Sequence, residues 1–157
     1  MKLFYTAVFF IMTTFTLNAT PLPDIPVANE ADRKAITTAA RNYIVSQHIS
    51  SRELMAAALH PKLVKRTYWG KGSQQETILE TSRETMLNVA ENYNRNGDKF
   101  PANPRVEIKI LDIDQRVASV KLSADDWIDY MHLVKNPQGQ WQILNVLWQY
   151  HDIGQHN

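Results

Sequence analysis

The sequence contains no cysteine, only 5 glycines and 7 prolines, and no long run of charges of one sign. Without cysteine, the chain cannot form disulfide bonds, thiolate nucleophiles or thiolate metal sites. The formal net charge of +1, with no basic stripe, argues against a nucleic-acid partner. The sequence also lacks a glycine-rich phosphate loop, a serine nucleophile elbow and paired histidines on one helix face. Small-molecule binders, cofactor-free enzymes and interaction modules remain open.

The residues that are present have the composition of a globular protein. Of the 157 residues, 44% are hydrophobic and 21% are charged. This length predicts one domain that can bury a sizeable core without covalent cross-links.

The N-terminus, residues 1–19, has the layout of a secretory signal peptide. One early cation, Lys2, precedes an apolar run from Leu3 to Leu17, and small residues follow. A membrane anchor is the alternative, but a spanning helix needs roughly 20 apolar residues. We therefore expect cleavage after Ala19 and export to a periplasm or the medium, with no membrane association afterwards. The proline-rich residues 20–28 are predicted to form an extended lead-in.

The predicted domain covers residues 29–152, and residues 153–157 form a tail. Asn29 is expected to cap a helix that ends near His48. A capping box at Ser50 predicts a short helix over 51–59, and another at Thr81 predicts a helix that ends near Tyr93. Strands are predicted at 63–69, 77–80, 105–113, 117–124, 126–135 and 140–150. Helices that mostly precede an antiparallel meander indicate the α+β class.

The last two strands carry polar residues within apolar surroundings. Side chains alternate across a strand, so Asp129 and His132 should lie on opposite faces of the sheet. They cannot then form a catalytic dyad within one subunit, unless a bulge lies between them.

The connection at Pro137 to Gly139 predicts a three-residue hairpin turn. Counting from it pairs Met131 with Asn145 and Asp129 with Leu147. Asp129 and Asn145 would then share a face that lines a pocket. The other face is also apolar, and a second copy of the chain is expected to cover it at Tyr130, His132, Val146 and Trp148.

Several short motifs resemble one known family. They are Leu59-His60-Pro61, Tyr68-Trp69-Gly70, the stretch Asp129–Leu133 and the stretch Trp141–Trp148. In order and spacing they are similar to the putative lumazine-binding family of the nuclear transport factor 2-like superfamily, over about residues 30–150. The resemblance implies a cone-shaped fold with three N-terminal helices packed on a curved antiparallel sheet. Relatives include SnoaL-like and ketosteroid-isomerase-like proteins, and homodimers through the outer sheet face are common among them.

The resulting functional prediction is an exported, non-catalytic domain that binds a small apolar or aromatic molecule. Asp129 and Asn145 would be its polar anchors, and no cofactor or metal is expected. Two alternatives remain open: a cofactor-free isomerase or cyclase with Asp129 as general base, and a ligand-free interaction module. His151, Asp152 and His156 in the tail are weak metal candidates. The predicted ligand-binding residues are Tyr43, Trp69, Met86, Trp127, Asp129 and Asn145.

Overall fold

A computed structural model describes residues 29–70 and 76–156. The predicted signal peptide and lead-in lie outside these described residues. These ranges contain three α-helices: α1 (Glu30–His48), α2 (Arg52–Ala58) and α3 (Arg83–Asn92). None of the helices in the described ranges is long and apolar enough to cross a membrane.

The helices begin at side-chain caps, as the sequence predicts, although two caps lie one residue later than expected. Asn29 accepts a hydrogen bond from the backbone N–H of Asp32 and starts α1. Ser51 caps α2 and Ser82 caps α3, in place of the predicted Ser50 and Thr81. Each serine oxygen accepts the N–H three residues on, which satisfies one of the free donors of the first turn.

In the part of the chain that the structure describes, six strands form one mixed sheet in the order β2-β1-β6-β5-β4-β3. All neighbours are antiparallel except β1 and β6, which run parallel. The predicted all-antiparallel sheet is therefore wrong for this pair, because β1 and β6 are distant in sequence and no hairpin fixes their direction. The strands are β1 (Leu59–Trp69), β2 (Thr77–Ser82), β3 (Glu107–Ile113), β4 (Val117–Ser123), β5 (Trp127–Lys135) and β6 (Trp141–Tyr150).

The helices pack on the inner face of the sheet and form a single core with it. On α1 the buried residues recur at helical spacing, so this face of the helix points towards the strands. Strand β5 alternates between buried and exposed positions, which matches a sheet with one covered face. The prediction of an α+β domain with three helices on a curved sheet is confirmed. The largest fully buried hydrophobic side chains are Tyr43, Ile36, Ile44, Met55, Leu59, Leu122, Met131, Leu133 and Ile143.

The β5–β6 hairpin begins in the predicted register and then leaves it. Gly139 takes a positive φ of 81° in the turn, and Lys135 pairs with Trp141 as expected. Leu133 pairs with Ile143 but His132 pairs with Asn145, so Leu144 is an extra residue that forms a β-bulge.

The bulge reverses the predicted faces of β6 beyond Ile143. Asp129 pairs with Trp148 rather than with Leu147. Val146 is fully buried, so Val146 and Trp148 belong to the inner face and not to the outer one. Asn145, which was expected inside, lies on the outer face opposite His132. The face predictions for Asn145, Val146 and Trp148 are therefore wrong.

The outer face of the sheet is open to solvent in the single chain. Large apolar side chains that are about half exposed lie among polar ones there. The exposed members are Tyr68, Ile78, Val117, Tyr130 and Leu147.

Candidate functional site

A buried ion pair joins β1 to β5 on the inner face of the sheet. The ammonium Nζ of Lys65 lies 3.0 Å from Asp129 Oδ1, and the Asp129 side chain has no exposed surface. Lys65 also donates a hydrogen bond of 2.7 Å to the phenol oxygen of Tyr43 on α1. Tyr43 in turn lies 3.5 Å from the same carboxylate oxygen, as a long donor to it. Three elements distant in sequence thus place a cation, an anion and a phenol in contact.

The environment keeps Tyr43 in its neutral form. Burial raises its pKa well above the usual value of 10.0, and the nearby charge of Asp129 and their hydrogen bond raise the pKa further. Lys65 Nζ also lies 4.7 Å from the ring centroid of Trp148 and 5.4 Å from that of Tyr43, within the range of cation–π attraction. The ammonium therefore contacts a carboxylate, a phenol oxygen and an indole ring.

A cavity of about 240 Å³ opens from this cluster towards α3. Lys65 lines it, whereas Asp129 and Tyr43 lie beneath its surface. Most of the wall is aromatic or aliphatic, as in typical small-molecule sites. The other lining residues are Gln47, Thr81, Thr85, Met86, Val89, Tyr93, Trp127, Trp148 and Tyr150.

The predicted site residues are distributed over three places. Met86 and Trp127 line the cavity. Tyr43 and Asp129 form its buried support. Trp69 does not line this cavity but packs against two residues that do, Trp148 and Tyr150, and it lines a larger neighbouring cleft. Asn145 hydrogen-bonds His132 Nδ1 at 3.1 Å on the outer face.

Lys65 is the residue that the sequence analysis missed. A lysine on a strand usually points to solvent, so it is not counted among the candidate core residues. Its spacing is the available signal, because Leu63, Lys65 and Thr67 share one face of the strand and Leu63 is apolar.

A second, larger cleft of about 700 Å³ lies where β1 and β6 separate. Beyond Arg66 and Leu147 the two strands no longer pair, and the C-terminal 3₁₀ turn, Ile153–His156, contacts both. The His156 carbonyl accepts the N–H of Gly70, and its ring nitrogen Nε2 accepts the N–H of Tyr150 at 3.0 Å. His156 is therefore engaged with the sheet. Among the described residues, no three of the types His, Asp and Glu converge as a metal site would require.

Comparison with known proteins identifies the fold. A nuclear transport factor 2-like protein of unknown function from Shewanella baltica OS155 superposes with a TM-score of 0.61 at 17% identity, covering 80% of this chain and 98% of that chain. A similar protein from Methylobacillus flagellatus KT gives a TM-score of 0.59 at 20% identity, covering 80% and 96%. A ketosteroid isomerase-like protein from Erwinia carotovora atroseptica SCRI1043 gives 0.54 at 12% identity, covering 79% and 99%. At sequence identities this low, the similarity shows a shared fold and nothing more.

A search of curated proteins found no match to this chain. The sequence profile of the family described as "Putative lumazine-binding" matches residues 31–149, which is most of the chain. The chain therefore belongs to this family and has the nuclear transport factor 2-like fold, which supports a ligand-binding domain.

Proposed function

We propose that this protein is an exported binding domain that holds a small, largely apolar molecule in the cavity above Lys65 and releases it unchanged. The observation that carries the proposal is that Lys65 lines the cavity while Asp129 lies sealed beneath it. A ligand can thus meet a fixed hydrogen-bond donor and apolar walls, which is the composition of a small-molecule site.

The buried charges favour a functional role over a purely structural one. Taking a carboxylate and an ammonium out of water costs several kcal/mol for each ion, and their attraction often only offsets this cost. Apolar pairs of similar volume often serve a fold at least as well. Ionic groups at the base of an apolar cleft are therefore candidates for ligand recognition.

The same geometry argues against general-base catalysis by Asp129. A general base must come within hydrogen-bond reach of the proton that it removes. Asp129 has no exposed surface, and its Oδ1 is already engaged by Lys65 and Tyr43. A substrate would have to displace the lysine before it could reach the carboxylate.

Native mass spectrometry of the protein purified from its own cell envelope tests this proposal. We expect one bound small molecule on the wild type. The substitution Val89→Trp places a large side chain at the cavity wall, so this variant should lose the bound molecule. Asn92→Trp is the matched control, because Asn92 lies on the same helix but is exposed. If the wild type converted the compound recovered from Asp129→Asn into the compound recovered from the wild type, the two would be substrate and product, and this result would favour the enzyme.

The proposal includes a homodimer through the outer face of the sheet. Tyr130 and Leu147 pair across β5 and β6 there, and each is about half exposed in the single chain. His132 remains on this face, whereas Val146 and Trp148 no longer belong to it. Analytical ultracentrifugation should give a dimer for the wild type and a monomer for Leu147→Glu. Leu111→Glu should stay dimeric and is the control, because Leu111 is about equally exposed but lies on the edge strand β3, away from the β5–β6 pair. A monomeric wild type would contradict this part.

Export is supported by the layout of Lys2 and the apolar run to Leu17. Residues 1–28 fused to a reporter without its own signal should carry it out of the cytoplasm, and the mature fusion should begin at Thr20. Retention of the fusion inside the cell would contradict export.

A further inference from the structure

The charge at the base of the cavity is already compensated. Lys65 is the charged residue among those that line the cavity, and Asp129 lies 3.0 Å from it. The carboxylate therefore opposes the binding of a second anion at the same ammonium. An anionic ligand would bring its own charge close to Asp129 in a weakly solvated site, where like charges repel strongly.

The hydrogen-bonding capacity of Lys65 is also limited. An ammonium group has three N–H donors. Among the described residues, one donates to Tyr43 Oη and another to Asp129 Oδ1. The remaining donor can serve one acceptor, so a ligand needs only a single oxygen at this point.

The rest of the wall favours a flat and mainly apolar body. Trp127 and Trp148 offer aromatic surfaces, and Met86 adds a thioether that contacts rings favourably. The volume of about 240 Å³ is below the roughly 300 Å³ at which typical drug-sized pockets begin, which indicates one or two rings.

We propose that the cavity selects a neutral, planar molecule of one or two rings that presents a single carbonyl oxygen to Lys65, and discriminates against carboxylates of the same shape. This inference rests on the proposed binding function and specifies the ligand class for the same site. A neutral carbonyl accepts the free N–H of Lys65 without disturbing its pairing with Asp129.

Three naphthalene derivatives of matched shape test the inference by isothermal titration calorimetry. They are 2-acetylnaphthalene, which carries a ketone, 2-naphthoate, which carries a carboxylate, and 2-ethylnaphthalene, which has no acceptor. We expect the ketone to bind about tenfold more tightly than either of the others, as one hydrogen bond to a charged donor allows.

Two substitutions test separately the charge of Asp129 and the hydrogen bond from Lys65. Asp129→Asn leaves Lys65 uncompensated, and we expect the preference to reverse towards 2-naphthoate. Lys65→Met should bring the ketone and the hydrocarbon to within about twofold of each other, because the hydrogen bond is lost while the apolar walls remain. Lys121→Met is the control, because Lys121 lies over Tyr130 outside the cavity.

The outcomes distinguish the two proposals. If no derivative binds the wild type, the proposed binding function itself fails. If 2-naphthoate binds the wild type at least as tightly as the ketone, the binding function stands and the selection of a neutral carbonyl is overturned. If either single variant does not fold, the double variant Lys65→Met/Asp129→Leu, which removes both buried charges, still decides whether the lysine recognises the ketone.

Discussion

Lys65 Nζ and Asp129 Oδ1 lie 3.0 Å apart, at a point where the carboxylate has no exposed surface and the lysine side chain is only 10% exposed. This contact joins the strand next to one edge of the sheet to a central strand, and Tyr43 ties both to the first helix. The ion pair thus links the base of the cavity to three parts of the fold. Substituting Lys65 or Asp129 should therefore affect both ligand binding and stability.

Removing one partner of the pair should cost much more than removing both. Lys65→Met leaves a buried carboxylate without its cation, and we expect the free energy of unfolding to fall by about 3–5 kcal/mol. The double variant Lys65→Met/Asp129→Leu removes both charges, so it should recover most of this loss. Urea unfolding followed by tryptophan fluorescence measures both values. Equal losses in the single and double variants would contradict this account.

A second ion pair anchors the start of α1 to the β5–β6 hairpin. Asp32 Oδ1 lies 2.7 Å from Lys135 Nζ and accepts a hydrogen bond of 2.8 Å from Trp141 Nε1. These hydrogen bonds, first to Lys135 and then to Trp141, lower the pKa of Asp32 below its usual value of 3.8. We expect Asp32→Ala to lower the free energy of unfolding at pH 7 by about 1–3 kcal/mol, because a buried indole donor loses its acceptor.

The matched control is Asp98→Ala, since Asp98 forms only an exposed pair with Lys99. Such pairs contribute at most about 1 kcal/mol. Because the pKa of Asp32 is lowered in the folded state, its contribution is present above pH 3.8 and is lost as the pH falls through its folded pKa. Above pH 5, a stability difference between wild type and Asp32→Ala that varied with pH would contradict this assignment.

Much of the fold could be predicted from the sequence because the signals are local. Alternation fixed the faces of β5: Asp129 is buried and His132 is exposed, as the spacing of three requires. The turn at Gly139 also fixed the first pairs of the hairpin. These features depend on strand geometry and on a glycine that tolerates positive φ.

The bulge and the lysine could not be predicted in the same way. Ile143 and Leu144 are both apolar strand formers, so composition gives no reason for one of them to lack a partner. The pairing of β6 with β1 also shifts register here, between the pairs Leu59–Ile143 and Val64–Asn145, and these strands are distant in sequence. Lys65 was missed because its burial depends on Asp129, which is 64 residues away in sequence.

His48 should make the protein less stable in mild acid. Its Nε2 is buried, and its ring packs against Phe100 at 4.3 Å between centroids. Burial lowers the pKa of His48 from its usual 6.5, although the charge of Asp125 acts in the opposite direction. The unfolded chain therefore binds this proton more readily, so the stability present above pH 6.5 is lost as the pH falls through the folded pKa.

NMR titration of the imidazole resonances measures this effect directly. We expect a midpoint for His48 below 6.5 and a still lower midpoint in Asp125→Asn, which removes the opposing charge. His48→Phe keeps an aromatic ring beside Phe100 and should reduce the loss of stability in mild acid. A wild-type midpoint above 6.5 would show that burial does not dominate at this residue.

Deletion of Leu144 should leave the cavity wall in place. Shifting a strand by one residue moves its side chains to the opposite face. Leu144 is the unpaired residue, however, so its deletion leaves Asn145 opposite His132 and Val146 opposite Met131. Val146 and Trp148 should therefore stay on the inner face. We expect a loss of less than about 2 kcal/mol in the free energy of unfolding, below the range for removal of a large core side chain.

The substitution Leu144→Ala is the control, because it keeps the extra residue and removes most of its side chain. Leu144 is only partly buried, so this variant should also lose little stability. Near-ultraviolet circular dichroism reports the packing of Trp148 against Lys65 and Tyr150. We expect both variants to keep the wild-type spectrum. Loss of the Trp148 signal in the deletion but not in Leu144→Ala would mean that the extra residue is needed to hold the inner face, and would contradict this account.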